Sequence, residues 1–129
     1  MYLDESLLDD LQKKAQHNVR KRMHLDLRNN SEDGSQRMLN ALEPDTVLPI
    51  HRHRSTSETV VLLRGCMDEI FYDDEKREIA RFRLNPREGR YGLNIPAGQW
   101  HGIEVYEPSV IIEMKDGQYS PISQEDVLE

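Results

Sequence analysis

The residues most able to do chemistry are four, three of them close together in the sequence and the fourth far along the chain. His51 and His53 stand two apart in a segment that reads as extended, with Pro49 just before it. Side chains alternate faces along a strand, so both imidazoles point the same way. Glu58 follows a short loop, Arg54-Ser55-Thr56-Ser57, and opens a run in which Glu58, Val60 and Leu62 share one face. A hairpin there brings the carboxylate beside the two imidazoles. His101 begins a strand directly after the turn Pro96-Ala97-Gly98. Three imidazoles and one carboxylate converging inside a barrel form a donor set for one divalent transition metal, and zinc, iron, manganese and nickel all suit it. Four protein ligands leave one or two positions open on a metal that accepts five or six. A His-x-His pair alone is more often a surface feature. What distinguishes this one is the order of residues around it.

Those residues need strands to hold them, and the chain supplies strands after one helix. Leu7, Leu8, Leu11, Ala15 and Val19 recur at helical spacing and predict a helix over 5–22, with Asp4 or Ser6 capping its first turn. Arg28 to Ser35 has loop composition. Short strands are then expected at 36–42, 46–53, 58–64, 66–72, 78–84, 91–95, 101–106 and 110–115. Their breaks fall at Pro44-Asp45, Gly65, the polar turn 73–77, the loop 85–90 and Pro96–Gly98. Many short strands with regular turn signals predict an all-β antiparallel sandwich or barrel. Residues 1–35 would pack a helix and loop on a barrel of residues 36–117, and 118–129 would be a polar tail with a short helical turn.

Two stretches carry a resemblance. His51-x-His53-x4-Glu58-x6-Gly65 reproduces the first cupin motif with its closing glycine, and Pro96-x-Gly98-x2-His101 reproduces the centre of the second. The opening glycine of the first motif is replaced near Pro44-Asp45, and the closing asparagine of the second falls at Val105. All four ligand positions match. The segments Gln36–Pro44, His51–His53, Ile95–His101 and Glu113–Tyr119, with Arg22-Met23-His24 upstream, resemble the WbuC family of cupin-fold metalloproteins. The resemblance implies a single-domain jelly-roll barrel behind an N-terminal α-helix. It implies a metal on His51, His53, Glu58 and His101, and a cytoplasmic role near surface-polysaccharide synthesis. It fixes no reaction. Together with the open edge strands of small barrels it also points to a homodimer.

Other residues are candidates for contact with a small-molecule ligand. Trp100 and Tyr91 offer aromatic faces for a sugar ring, although Trp100 should face away from His101. Asn40 shares a strand face with Met38 and Leu42, so its amide is core-facing and needs a hydrogen-bond partner. Arg37 or Arg64 could clamp a carboxylate or phosphate, and His24 is placed in a loop that could cover the barrel mouth. Cys66, the one cysteine, has no histidine at catalytic spacing and reads as an inert buried thiol. No catalytic residue can be named.

The chain has 129 residues with 17 basic and 24 acidic side chains, a formal charge of −7. That charge opposes general nucleic-acid binding and docking on anionic membranes. No apolar run reaches the length of about 18 residues that a membrane span needs. The acidic start Met1–Glu5 predicts neither a signal nor a transit peptide, and one cysteine fits a reducing cytoplasm. Charge is uneven: Lys13–Arg37 carries seven basic and three acidic residues, and Glu104–Glu129 carries seven acidic and one basic. These stretches read first as solvated faces that attract each other, and alternatively as a basic stretch that receives an anionic ligand. For the whole, two functions compete. One is a metal-dependent enzyme acting on a small oxygenated or sugar-derived molecule. The other is a non-enzymatic, metal-centred binding or regulatory module.

Overall fold

The computed structural model describes residues 1–128. Helix α1 (Glu5–His17) starts where Asp4 accepts the Leu7 N–H at 3.0 Å, and it buries Leu8, Leu11 and Ala15. It ends five residues before the expected boundary. The Asn18 N–H bonds the Ala15 carbonyl at 3.2 Å, the Asn18 side chain takes the Arg20 N–H at 2.8 Å, and Lys21 adopts φ +57°. This local chemistry outcompetes continued helix, so Val19, counted with the helix's apolar face, is 93% exposed. The chain then turns into a strand that the periodicity did not reveal.

That strand is β1 (Arg22–Asp26), paired antiparallel with β2 (Ser35–Leu42). Residues 1–35 are therefore partly in the sheet. The remaining strands are β3 (Ile50–His51), β4 (Glu58–Tyr72), β5 (Glu78–Leu84), β6 (Gly92–Ile95), β7 (Trp100–Asp116) and β8 (Val127–Leu128). The order β1-β2-β7-β3-β8 forms one path, and β4 joins β7 while also pairing β5 and β6. β2 and β3 pair with successive parts of one edge of β7 and β4 runs along the other edge, curling the sheet into a barrel. The extended segment expected at 46–53 narrows to β3, since Pro49 cannot donate to a ladder.

Gly65 and Pro108 bend strands where breaks were expected. β4 shifts register between Leu62 and Met67. Gly65 takes φ +104°, and a Cβ there would press on Ser109 Oγ and lie 2.6 Å from the Pro108 carbonyl oxygen. Only glycine allows β4 and β7 to approach this closely.

Two apolar clusters result. Leu42, Val60, Leu62, Met67, Leu84, Ile95, Val105 and Ile111 fill the barrel, while Leu8, Leu11 and Ala15 cover Leu39, Ala41 and Val110 outside it. Arg64 fastens α1 to the barrel through Asp9 at 2.7 Å and Gln12 at 2.6 Å. It is thereby committed to the helix and not to a ligand. On the outer face Asp68, fully buried, accepts from Arg83 at 2.6 Å, Tyr106 at 2.6 Å and Arg81 at 2.9 Å. Among the described residues no helix is long and apolar enough to cross a membrane.

Candidate metal centre and its cavity

Strand pairing assembles the site. His51 on β3 lies directly opposite His101 on β7, and on its other flank His101 faces Phe71 of β4. The Gly98 N–H donates to the His53 carbonyl at 2.8 Å, tying the Pro96–Gly98 turn to the loop that carries the third imidazole. The ligand nitrogens of His51, His53 and His101 all lie within 4.8 Å of one another, so these three residues could hold a metal. Glu58, at the start of β4, places Oε2 at 3.1 Å from His53 Nε2 and 3.9 Å from His101 Nε2.

The donor set fits a divalent metal on observations of this chain. His51 Nδ1 lies 3.0 Å from the Pro49 carbonyl and His101 Nδ1 lies 3.0 Å from the Gln99 carbonyl. Carbonyls only accept, so each Nδ1 carries the proton and each Nε2 presents a lone pair to the centre. Glu58 Oε2 is buried and has no aligned hydrogen-bond donor despite its closeness to the imidazoles. A cation between these groups would satisfy it. Burial, with the neighbouring His101, pulls His51 down to about 4, and burial lowers His101, so both imidazoles are neutral near pH 7, as metal ligands must be. Burial opposes ionisation of Glu58, and its contacts with His53, His101 and His51 outweigh burial and hold the carboxylate below its ordinary value.

More charge shares this interior than the spacing revealed. Burial and the Glu58 charge push Glu113 up to about 8, while Asn40 Nδ2 donates to Glu113 Oε1 at 3.3 Å. Glu69 is fully enclosed, its Oε2 is unpartnered, and burial with Glu58 and Glu113 raises it well above the ordinary value. Lys115 Nζ lies 3.4 Å from His53 Nδ1, and burial lowers it. The available signal was parity. Glu113 and Lys115 share a face with Ile111, and Glu69 shares one with Met67 and Phe71, so charges occupy interior positions of apolar strands.

Two of the clustered histidines, His51 and His53, open into a cavity of about 660 Å³ whose lining also includes Asn40, Met38, Glu113, Lys115 and His24. His24 reaches it from β1, opposite Asn40, and not from a loop. The tail residues Ser120, Pro121 and Ile122 lie between this cavity and a smaller one of about 340 Å³ that also touches His53. The remaining candidates lie elsewhere. Arg37 hydrogen-bonds the Leu27 carbonyl and Asp33 on the outer face. Tyr91 is 60% exposed beside Phe82 and Leu93 in a separate hollow. Trp100 is buried, donates from Nε1 to Asp74 at 2.8 Å and stacks under Arg52. The tail is not a free polar end, because β8 pairs β3 and Asp126 accepts from Arg52 and Arg54. Glu129 lies outside the described residues.

Comparison with known proteins places the barrel. A family model described as a domain of unknown function, DUF6016, matches residues 3–84, more than half of the chain. No curated protein matches the chain. Among solved structures it is similar to the capsular polysaccharide assembling protein CapF from Staphylococcus aureus, with TM-score 0.67 and 20% identity over 86% of this chain and 32% of that one. It spans about a third of CapF. It is also similar to an uncharacterized conserved protein with a double-stranded β-helix domain from Klebsiella pneumoniae, with TM-score 0.67 and 12% identity over 95% and 94% of the two chains. A third is a cupin 2 domain-containing protein from Halorhodospira halophila, with TM-score 0.62 and 17% identity over 81% and 70%. The architecture is thus the cupin, or double-stranded β-helix, fold.

Proposed function

This chain belongs to the DUF6016 family, and we propose that it is a metal-dependent cupin of the WbuC type acting on a small oxygenated, sugar-derived molecule. The observation that carries the reading is the convergence of three imidazole nitrogens, from His51, His53 and His101, beside the orphaned Glu58 Oε2 and next to an open cavity that His51 and His53 line. His51, His53, His101 and Glu58 would hold one divalent ion. When bound, such an ion supplies a Lewis acid that polarises a carbonyl or hydroxyl oxygen.

The chain's own groups account for the rest. Pro49 and Gln99 carbonyls fix the protons of His51 and His101 on Nδ1. Asn40 directs its amide hydrogens toward Glu113 and leaves Oδ1 without a partner. Glu113 holds a proton on a carboxyl oxygen beside Glu58, and Lys115 stands across from it, so proton donors and acceptors lie at hand for catalysis. This enclosed set favours an enzyme over a passive binder. A link to surface-polysaccharide metabolism is supported by the WbuC resemblance and by CapF, a capsular polysaccharide assembling protein that is a neighbour in fold only.

Elemental analysis of untagged protein tests the reading, alongside His51→Ala, His101→Ala and Glu58→Ala. Near one equivalent of metal in the wild type, with each histidine variant falling below about a tenth of that, is the expected result. A wild type without metal, or variants that keep it, would overturn the assignment.

A further inference from the structure

The basic stretch of the sequence has a destination in the fold that the metal reading leaves unexplained. Of its seven cations, Lys14 pairs with Asp10, Arg28 with Asp26 and Arg37 with Asp33. Arg20 and Arg22 have no carboxylate within ion-pair distance among the described residues, and both line the 660 Å³ cavity with His24. Arg22 is oriented by its donation to the Val47 carbonyl at 2.9 Å, and burial first, then the neighbouring Arg20, disfavour its charge. The acidic stretch does not neutralise them. Glu104 is taken by Arg81, Glu107 by Arg87, and Asp126 by Arg52 and Arg54, while Glu113 points into the barrel.

Lys13 and Lys21 of the same stretch also have no carboxylate partner among the described residues, but only Arg20 and Arg22 among these unpaired cations line the cavity, where two neighbouring guanidiniums create a local positive field that attracts an anion. Guanidinium forks match carboxylate and phosphate oxygens with paired hydrogen bonds. Parity agrees, since Arg22 and His24 lie opposite Leu42 and Asn40 on the inward face of β1, while Met23 and Leu25 turn outward to α1. We infer that the cavity receives an anionic small molecule whose carboxylate or phosphate is bound by Arg20 and Arg22. This rests on the proposed function for the other end of the ligand, which faces His51 and His53.

The test is calorimetric titration of the full chain with glucose, glucuronate and glucose 6-phosphate, with metal content measured on the same samples. The proteins are the wild type, the double variant Arg20→Gln/Arg22→Gln, and Arg87→Gln as a control on the far surface. At least one acidic probe should bind about tenfold or more tightly than glucose. The double variant should lose about tenfold of that affinity with its metal content and thermal midpoint unchanged, and the control should match the wild type. Preference for glucuronate assigns a carboxylate, and preference for glucose 6-phosphate assigns a phosphate. The inference is overturned if neither acid binds more tightly than glucose, or if the double variant binds like the wild type. An acidic probe that depends on the arginine pair in a protein holding no metal would sink the metal centre and leave this inference standing.

Discussion

Glu58 and Glu69 occupy the same barrel interior with opposite fates. Glu58 has three imidazoles to justify its charge, whereas Glu69 has only two other carboxyls and an unpartnered oxygen. Its folded-state proton is held more tightly than in the unfolded chain. The stabilisation this gives is fully present below the ordinary carboxyl value and is lost as pH rises through the raised one. In metal-free protein Glu69→Gln should therefore be more stable than wild type at pH 8, by at least about 1 kcal/mol, with little difference near pH 4.5. Denaturant midpoints at the two pH values check this, and parallel pH curves would contradict it. At this scale the sequence was legible where spacing alone sufficed. His51, His53 and His101 meet because alternation and one turn require it. Glu69, Glu113 and Lys115 were hidden because their chemistry depends on strand register. Trp100 and Arg37 show the reverse: residue type marked them as ligand contacts, but parity sends both to the outer face.

At the level of elements, strand bending governs whether the site forms. β4 and β7 must fold over at Gly65 and Ser109 so that Glu58 at one end and Phe71 at the other both face β7. Gly65→Ala would add strain at φ +104° and a collision with the Pro108–Ser109 backbone, and should cost about 3 kcal/mol. Gly89→Ala, at φ +77° with nothing within 4 Å, should cost only about 1 kcal/mol. Equal losses in urea unfolding would contradict the packing argument. The outer face offers a second check. Asp68→Ala removes the acceptor that Arg81, Arg83 and Tyr106 share, while Arg81 keeps Glu78 and Glu104, and should cost about 1–2 kcal/mol by the same measurement. The barrel strands were legible because alternation and turn residues repeat. The end of α1, and β1 after it, were not. Val19 continues the apolar period, and only the Asn18 side chain and the reversal at Lys21 reveal the stop. β8 was invisible for another reason: two residues pair with β3 only once Asp126 has docked on Arg52 and Arg54.

Across the whole molecule, the uneven charge resolves into separate arrangements. Acids of the C-terminal third are used on the outer sheet and on the tail, the barrel encloses a mostly neutralised acidic centre, and two arginines are left at the cavity mouth. The fold thereby sets a hard, oxygen- and nitrogen-lined pole and a cationic pole in one cavity, an arrangement suited to a small molecule bearing both hydroxyl and acidic groups. Crystals of the full chain, purified without chelators, allow the central claim to be tested by anomalous difference maps collected across transition-metal absorption edges. One peak is expected at about 2.0–2.2 Å from a ring nitrogen of each of His51, His53 and His101 and from a Glu58 carboxylate oxygen. Maps empty at that point, with Glu58 instead turned to hydrogen-bond a protonated His53, would contradict the claim.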